Sequence, residues 1–170
     1  WDGEHLWITP AEMSKLQTPY LSKSRRKLSD AGLKKSSATL VPPKSIILST
    51  RAPIGHLAIN SAPMAFNQGC RALVPNSGTH YKYLFYFLLG NIELLNELGT
   101  GTTFKELSAT KLKNIKVPVP PFPEQKRIVA ILDEAFAGIE KAIKNNEKNL
   151  VNARELFESY LNSIFYYKGE

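Results

Sequence analysis

The 170-residue sequence holds one cysteine, Cys70, and three histidines, His5, His56 and His80. A single thiol excludes an intrachain disulfide framework and any multi-thiolate zinc site. Cys70 is expected to act as a small buried hydrophobe. The histidines share no metal-ligand spacing, so no metal is expected, and each is read as a surface or packing residue. Long apolar runs are also missing. The longest, Tyr83 to Leu89, is far short of the roughly 20 residues a membrane span needs. Trp1-Asp2-Gly3-Glu4-His5 lacks the basic start and apolar stretch of a signal peptide. No Met opens the sequence, and the chain is expected to be part of a larger, cytoplasmic protein.

Catalytic patterns are absent too. There is no Gly-x-Ser-x-Gly elbow. Gly99-Thr100-Gly101-Thr102-Thr103 lacks the Gly-Lys-Ser/Thr ending of a P-loop. Glu124-Gln125-Lys126 matches the end of a nuclease Glu-x-Lys motif, but the nearest upstream aspartate is Asp30. Val119-Pro120-Pro121-Phe122 resembles the Pro-Pro-aromatic signature of amino methyltransferases, with Val119 where a hydrogen-bonding Asn or Asp is needed. The chain is therefore read as non-catalytic, with no cofactor.

What is present is positive charge, unevenly spread. The 22 Lys and Arg outnumber the 15 Asp and Glu, for a net charge of +7. The excess lies in residues 1–123, with 15 basic against 7 acidic side chains. Lys15 to Lys44 alone carries eight basic residues (Lys15, Lys23, Arg25, Arg26, Lys27, Lys34, Lys35, Lys44) against Asp30. Clustered Lys and Arg in a globular domain suit a polyanion partner, or simply a solvated surface loop.

Residues 1–44 read as irregular, punctuated by Pro10, Pro19, Gly32 and Pro42-Pro43. Strands are expected at 45–50, 55–60 and 70–75, with Ala52-Pro53 turning between the first two. A helix capped by Thr79 is expected to run through Leu98 to a stop at Gly99, and a short one from Ser108 to Asn114. Ile115 to Val119 reads as a closing strand.

From Pro123 the pattern changes. Proline is tolerated in the first turn of a helix, and no proline follows. Val129, Phe136, Ile143, Leu150, Phe157 and Ile164 form one set of positions. Leu132, Ile139, Asn146, Ala153 and Tyr160 form the other. Steps of 3 and 4 alternate between the sets, which is a heptad repeat. About 43 residues at about 1.5 Å each make a helix of roughly 65 Å. Such a helix cannot bury its whole stripe on a small domain and is expected to pair with another. Asn146, polar and on the seam, can fix register. The expected fold is α+β: a mixed domain over 1–121, then one long coiled-coil helix over 122–170.

The chain resembles half of the specificity subunit of type I restriction–modification enzymes. The resemblance rests on five stretches spread in the family's order over the first 132 residues. They are Trp1-Asp2-Gly3 with Trp7-Ile8-Thr9-Pro10; Ile54-Gly55 leading to Phe66-Asn67-Gln68-Gly69-Cys70; Gly101-Thr102-Thr103-Phe104-Lys105-Glu106-Leu107; Ile115-Lys116-Val117-Pro118-Val119-Pro120-Pro121; and Pro123-Glu124-Gln125-Lys126-Arg127-Ile128-Val129 with Leu132. The resemblance implies a target-recognition domain that reads one half of a split DNA sequence. A spacer helix would pair antiparallel with a second. Partners would be double-stranded DNA, adenine methyltransferase subunits and restriction subunits. A family member has two recognition domains and two helices, and this chain has one of each. Homodimerisation through the seam would restore the pair and imply a palindromic target.

On this reading Lys23, Arg25, Arg26, Lys27, Lys34 and Lys35 lie along the DNA backbone. Arg25, Arg26, Arg51 and Gln68 are candidate base readers, because guanidinium and amide groups pair bidentately with base edges. Thr102, Thr103 and Lys105 suit a shared backbone or partner contact. The alternative is a free-standing regulator that dimerises through its coiled coil to bind DNA.

Overall fold

The computed structural model describes residues 3–51 and 53–166. Ala52 of the expected turn, Trp1 and Asp2 of the first motif, and residues 167–170 of the expected helix fall outside them. The chain divides into two compact units, Trp1–Arg127 and Ile128–Glu170.

Unit 1 is built on β4 (Ile46–Thr50), every residue of which is buried. Strand alternation sends successive side chains to opposite faces. Ile46 and Leu48 join a cluster with Leu84, Leu88 and Leu95, while Ile47 joins one with Ile8, Met64 and Cys70. A strand buried on both faces must lie between two layers, and β4 does. Its sheet has the order β2 (Tyr20–Leu21), β5 (Ile54–Asn60), β4, β7 (Cys70–Leu73). On one face pack α3 (Tyr81–Leu89) and α4 (Ile92–Glu97). The other face meets a second sheet, ordered β3 (Arg26–Leu28), β1 (His5–Ile8), β6 (Met64–Phe66), with α1 (Pro10–Met13) beside it. Two short helices complete the unit, α2 (Asp30–Lys35) and α5 (Ala109–Lys113).

The expected strands at 45–50, 55–60 and 70–75 correspond to β4, β5 and β7, and the 108–114 helix to α5 with Ser108 and Asn114 as its caps. Three expectations fail. Residues 1–44 are not irregular: they hold β1, β2, β3, α1 and α2. The strands are two to four residues long and pair with segments distant in sequence, as β1 does with β6, so no local period betrays them. The 79–98 helix is broken at Gly90-Asn91 into α3 and α4. His80, not Thr79, is the N-cap of α3, and the Thr79 hydroxyl donates instead to Asn76 Oδ1. Ile115–Val119 forms no strand. Ile115 and Val117 pack on the core without a ladder, and Pro118 O accepts from the Tyr83 hydroxyl at 2.8 Å.

Two buried amides hold the irregular parts. Asn60 accepts from Ser45 N (2.8 Å) and donates to the carbonyls of Pro42 (2.8 Å) and Ala62 (2.9 Å), tying both ends of the β4–β5 hairpin to the loops beside them. Gln125 accepts from His80 N (2.8 Å) and donates to Gly78 O (2.9 Å) and Pro120 O (2.8 Å). It thereby fastens the first turn of α6 (Phe122–Phe165) to the start of α3. Buried polar groups demand such partners, and here each amide serves backbone groups that have no ladder of their own. Cys70 is buried, and burial pushes its thiol up to about 12.

Unit 2 is the remainder of α6, whose 44 residues span roughly 66 Å. Pro123 sits in its first turn. Along the seam Val129 is buried and Leu132 half-buried, while Phe136, Ile139, Ile143, Asn146, Leu150, Ala153, Phe157, Tyr160 and Ile164 are exposed. Among the described residues the next longest helix is α3, with nine. No helix is long and apolar enough to cross a membrane among the described residues.

Candidate nucleic-acid interface

The Ile8 end of β1 gathers loops from four parts of the chain. Just past it, Glu12 on α1 works as a clamp. Its carboxylate accepts from Thr9 Oγ1 (2.9 Å) and from Arg25 N (2.7 Å). The Ser24 hydroxyl accepts from Trp7 N (3.1 Å) and donates to Arg26 O (2.6 Å). Together these fix the Ser24–Arg26 turn, with Arg25, against the strand end.

The second loop is the Asn67–Gly69 turn. Asn67 N donates to Ile8 O (3.0 Å), and Asn67 Oδ1 accepts from Gly69 N (3.0 Å). Gln68 stands exposed at its tip. The packing beneath is close, because a Cβ on Gly69 would lie 3.3 Å from the Pro10 ring and 3.9 Å from Cβ of Arg51. Arg71 Nη1 donates to Gln68 O (3.1 Å) and Cys70 O (2.9 Å), so a guanidinium also braces this turn.

Arg51 leads to the last loop. Its Nη2 lies 2.5 Å from Glu106 Oε2, and its Nε donates to the same oxygen at 3.2 Å. Thr100 and Glu106 exchange two backbone hydrogen bonds (3.0 and 2.8 Å), closing residues 101–105 into a tight loop. Gly101 has φ +123°, and a Cβ there would meet Phe104 O at 2.3 Å, so only glycine fits. Leu107, fully buried, anchors the loop and donates its N–H to Thr50 O (2.9 Å). Thr102, Thr103, Phe104 and Lys105 all point to solvent.

The structure thus brings Arg25, Arg51, Gln68, Thr102, Thr103 and Lys105 to one rim. Arg26 and Lys27 lie on the edge strand β3, opposite Trp7 and Leu6. Lys23 is exposed on the approach to the Ser24–Arg26 turn. Lys34 and Lys35 do not join the rim. They sit in the last turn of α2, whose first residue, Asp30, bonds His5 at the opposite end of β1 (2.7 Å). That hydrogen bond holds the Asp30 carboxyl below the usual carboxylate range.

Arg71, Glu12 and Glu106 escape the sequence reading. Glu12 had a signal, because Thr9-Pro10-Ala11-Glu12 is a capping-box pattern. Arg71 had none, although its bonds go to the nearby carbonyls of Gln68 and Cys70, and Glu106 lies in the Gly101–Leu107 stretch but meets Arg51 only through the fold. Arg51 is engaged by Glu106, which makes it a brace for the loop as well as a cation on the rim. Glu124 of the nuclease-like triplet pairs with Arg127 (2.7 and 2.8 Å), and Gln125 is the buried amide described above. A groove of about 550 Å³ on the helical layer, lined by Phe87, Leu94, Leu98 and Lys111, contains none of these candidates.

Chemically the rim offers guanidinium, amide, hydroxyl and ammonium groups on loops braced by a rigid double layer. These are the groups that contact phosphates and base edges.

Comparison with known proteins agrees in kind. Residues 1–149 match the family model described as the type I restriction modification DNA specificity domain. The chain is 33% identical, over its full length and 40% of the relative's, to the type I restriction enzyme MjaIX specificity subunit of Methanocaldococcus jannaschii. It is 28% identical, over 94% of itself and 42% of the relative, to the EcoR124I/EcoR124II specificity subunit of Escherichia coli. The chain therefore spans about two fifths of the length of these relatives. Among solved structures, its fold is similar to a chain from a study of complex assembly and conformational transition of the type I R-M system, with TM-score 0.77, 22% identity, and coverage of 95% of this chain and 38% of that one. It is also similar to the HsdS subunit from Thermoanaerobacter tengcongensis, with TM-score 0.65, 21% identity, and coverage of 82% and 32%.

Proposed function

The chain belongs to the type I restriction–modification DNA specificity family, and from that premise we propose that it is one recognition half of a specificity subunit. Unit 1 reads one half of a split target in double-stranded DNA. α6 pairs antiparallel with the helix of a second copy and sets the distance between half-sites. The chain performs no chemistry itself and holds no cofactor. It directs adenine methyltransferase and restriction subunits to the site, in the cytoplasm. With two identical halves, the target is a palindrome.

The observation that carries this reading is the family match, which runs from unit 1 into α6. The rim supports it with guanidinium, amide, hydroxyl and ammonium groups on braced loops. The helix supports it through its flanks. One flank of the seam carries Asp133, Glu140, Glu147, Arg154 and Leu161, the other Ile128, Ala135, Ala142, Asn149, Leu156 and Ser163. Antiparallel pairing sets like flanks against each other, so the largely apolar flank widens the core, while the charged flank brings Arg154 of one copy toward acidic residues of its partner and also sets acid against acid.

Arg25 and Arg26 test the DNA contact. Replacing both by alanine is expected to weaken binding to a duplex and to make its salt dependence shallower by about two in the log–log slope, since each phosphate contact contributes about 0.9. An unchanged slope would sink the backbone-contact assignment.

A further inference from the structure

We propose that Phe104 is a wedge that enters the base stack of duplex DNA; the proposal rests on the DNA-binding reading of the rim. Phe104 is 71% exposed, more than any other large apolar side chain described in unit 1. Exposing an aromatic ring on a loop this constrained calls for a partner. The loop is stiff: reciprocal Thr100–Glu106 bonds close it, Gly101 takes the left-handed turn, Leu107 anchors it, and Arg51 braces Glu106. The ring is therefore presented in place, with little conformational entropy left to lose on binding.

The surroundings identify the partner. Thr102, Thr103 and Lys105 flank the ring and are exposed. No other large apolar side chain is exposed between Leu94 and Val119. A protein-docking surface has an apolar core of several side chains. A lone apolar side chain among hydroxyls and an ammonium instead matches the wedges that enter between base steps while polar neighbours hold the phosphates. The brace also ties the loop that carries the ring to Arg51, one of the rim residues assigned to base reading. Insertion there unstacks one step of the half-site. That lowers the cost of extruding a neighbouring base for a partner that modifies it.

The test uses the full chain and a duplex that the wild-type chain enriches from a random pool, labelled with 2-aminopurine at each position in turn. Wild type and Phe104→Leu are expected to raise the fluorescence at one step. Phe104→Ala is expected to abolish that rise and to weaken binding about tenfold or more, the usual effect of losing a stacked aromatic. Its salt slope stays unchanged, because no charge is removed. Lys105→Ala is expected to do the reverse, keeping the rise and reducing the slope. Phe104→Ala binding with wild-type affinity and the same fluorescence rise would overturn the wedge and leave the DNA reading standing. So would normal DNA behaviour with lost capture of a methyltransferase subunit, which would make Phe104 a protein contact. A wild-type chain that enriches no duplex would overturn the DNA reading, and the wedge with it.

Discussion

Replacing Gln125 by leucine is expected to destabilise unit 1 by about 4 kcal/mol, toward the low end of about 1–3 kcal/mol for each of three groups left unpaired, because Gly78 is exposed and His80 and Pro120 are half-buried. Three groups lose their partner: His80 N, Gly78 O and Pro120 O. Leucine fills most of the volume but satisfies none of them. At about 2–4 °C per kcal/mol for a chain of this size, the thermal midpoint falls by about 10 °C or more. Glu124→Gln, one position away, serves as the control. Glu124 is held low by its hydrogen bond from Arg127, yet the pair lies at the surface with Glu124 only half-buried, and losing it is expected to leave the midpoint unchanged. A Gln125→Leu protein melting within a degree or two of wild type would show that the amide does not fasten α6 to α3. The motif Pro123-Glu124-Gln125-Lys126-Arg127 then gains a physical meaning: its middle residue is a structural bolt where the first turn of the long helix meets the start of α3.

Replacing Ile143 by aspartate is expected to abolish self-association. Ile143 is exposed in the single chain, so the substitution leaves unit 1 intact. In a pair of helices it lies on the seam near the middle. Each copy loses a buried isoleucine and gains a desolvated carboxylate, about 3 kcal/mol per copy. Two copies make about 6 kcal/mol, or a dissociation constant about ten-thousandfold weaker. Sedimentation equilibrium should give wild type a mass near twice 19.0 kDa and Ile143→Asp a mass near 19.0 kDa over the same concentrations. An unchanged dimer in the variant would place the contact elsewhere. A wild-type monomer at every concentration would mean that the helix needs a different partner.

The sequence was most legible where structure is local. α6 announces itself through its heptads and begins at Phe122 as expected, while residues 167–170 of the expected helix lie outside the described region. β4 and β5 are runs of apolar residues flanked by turn signals, and α5 carries its own serine cap. The break between α3 and α4 was hidden because Ile92 and Leu95 continue the apolar period of Leu84 and Leu88 across Gly90. The strand β3 was hidden because Lys27 is a poor strand former, held in place by pairing with β1. The rim divides the same way. Arg25, Gln68 and Lys105 stand out by chemistry and motif. Their convergence depends on Glu12, on the close packing under Gly69, and on the Arg51–Glu106 pair, all contacts between residues far apart in sequence.

The central claim is that this chain reads one half of a palindromic split DNA site. The most direct measurement is to incubate the wild-type chain with random-sequence duplexes, recover those bound, and sequence them. The account predicts one short sequence, present twice in opposite orientation and separated by a fixed number of base pairs of no preferred sequence. Bound duplexes with no sequence in common would contradict it.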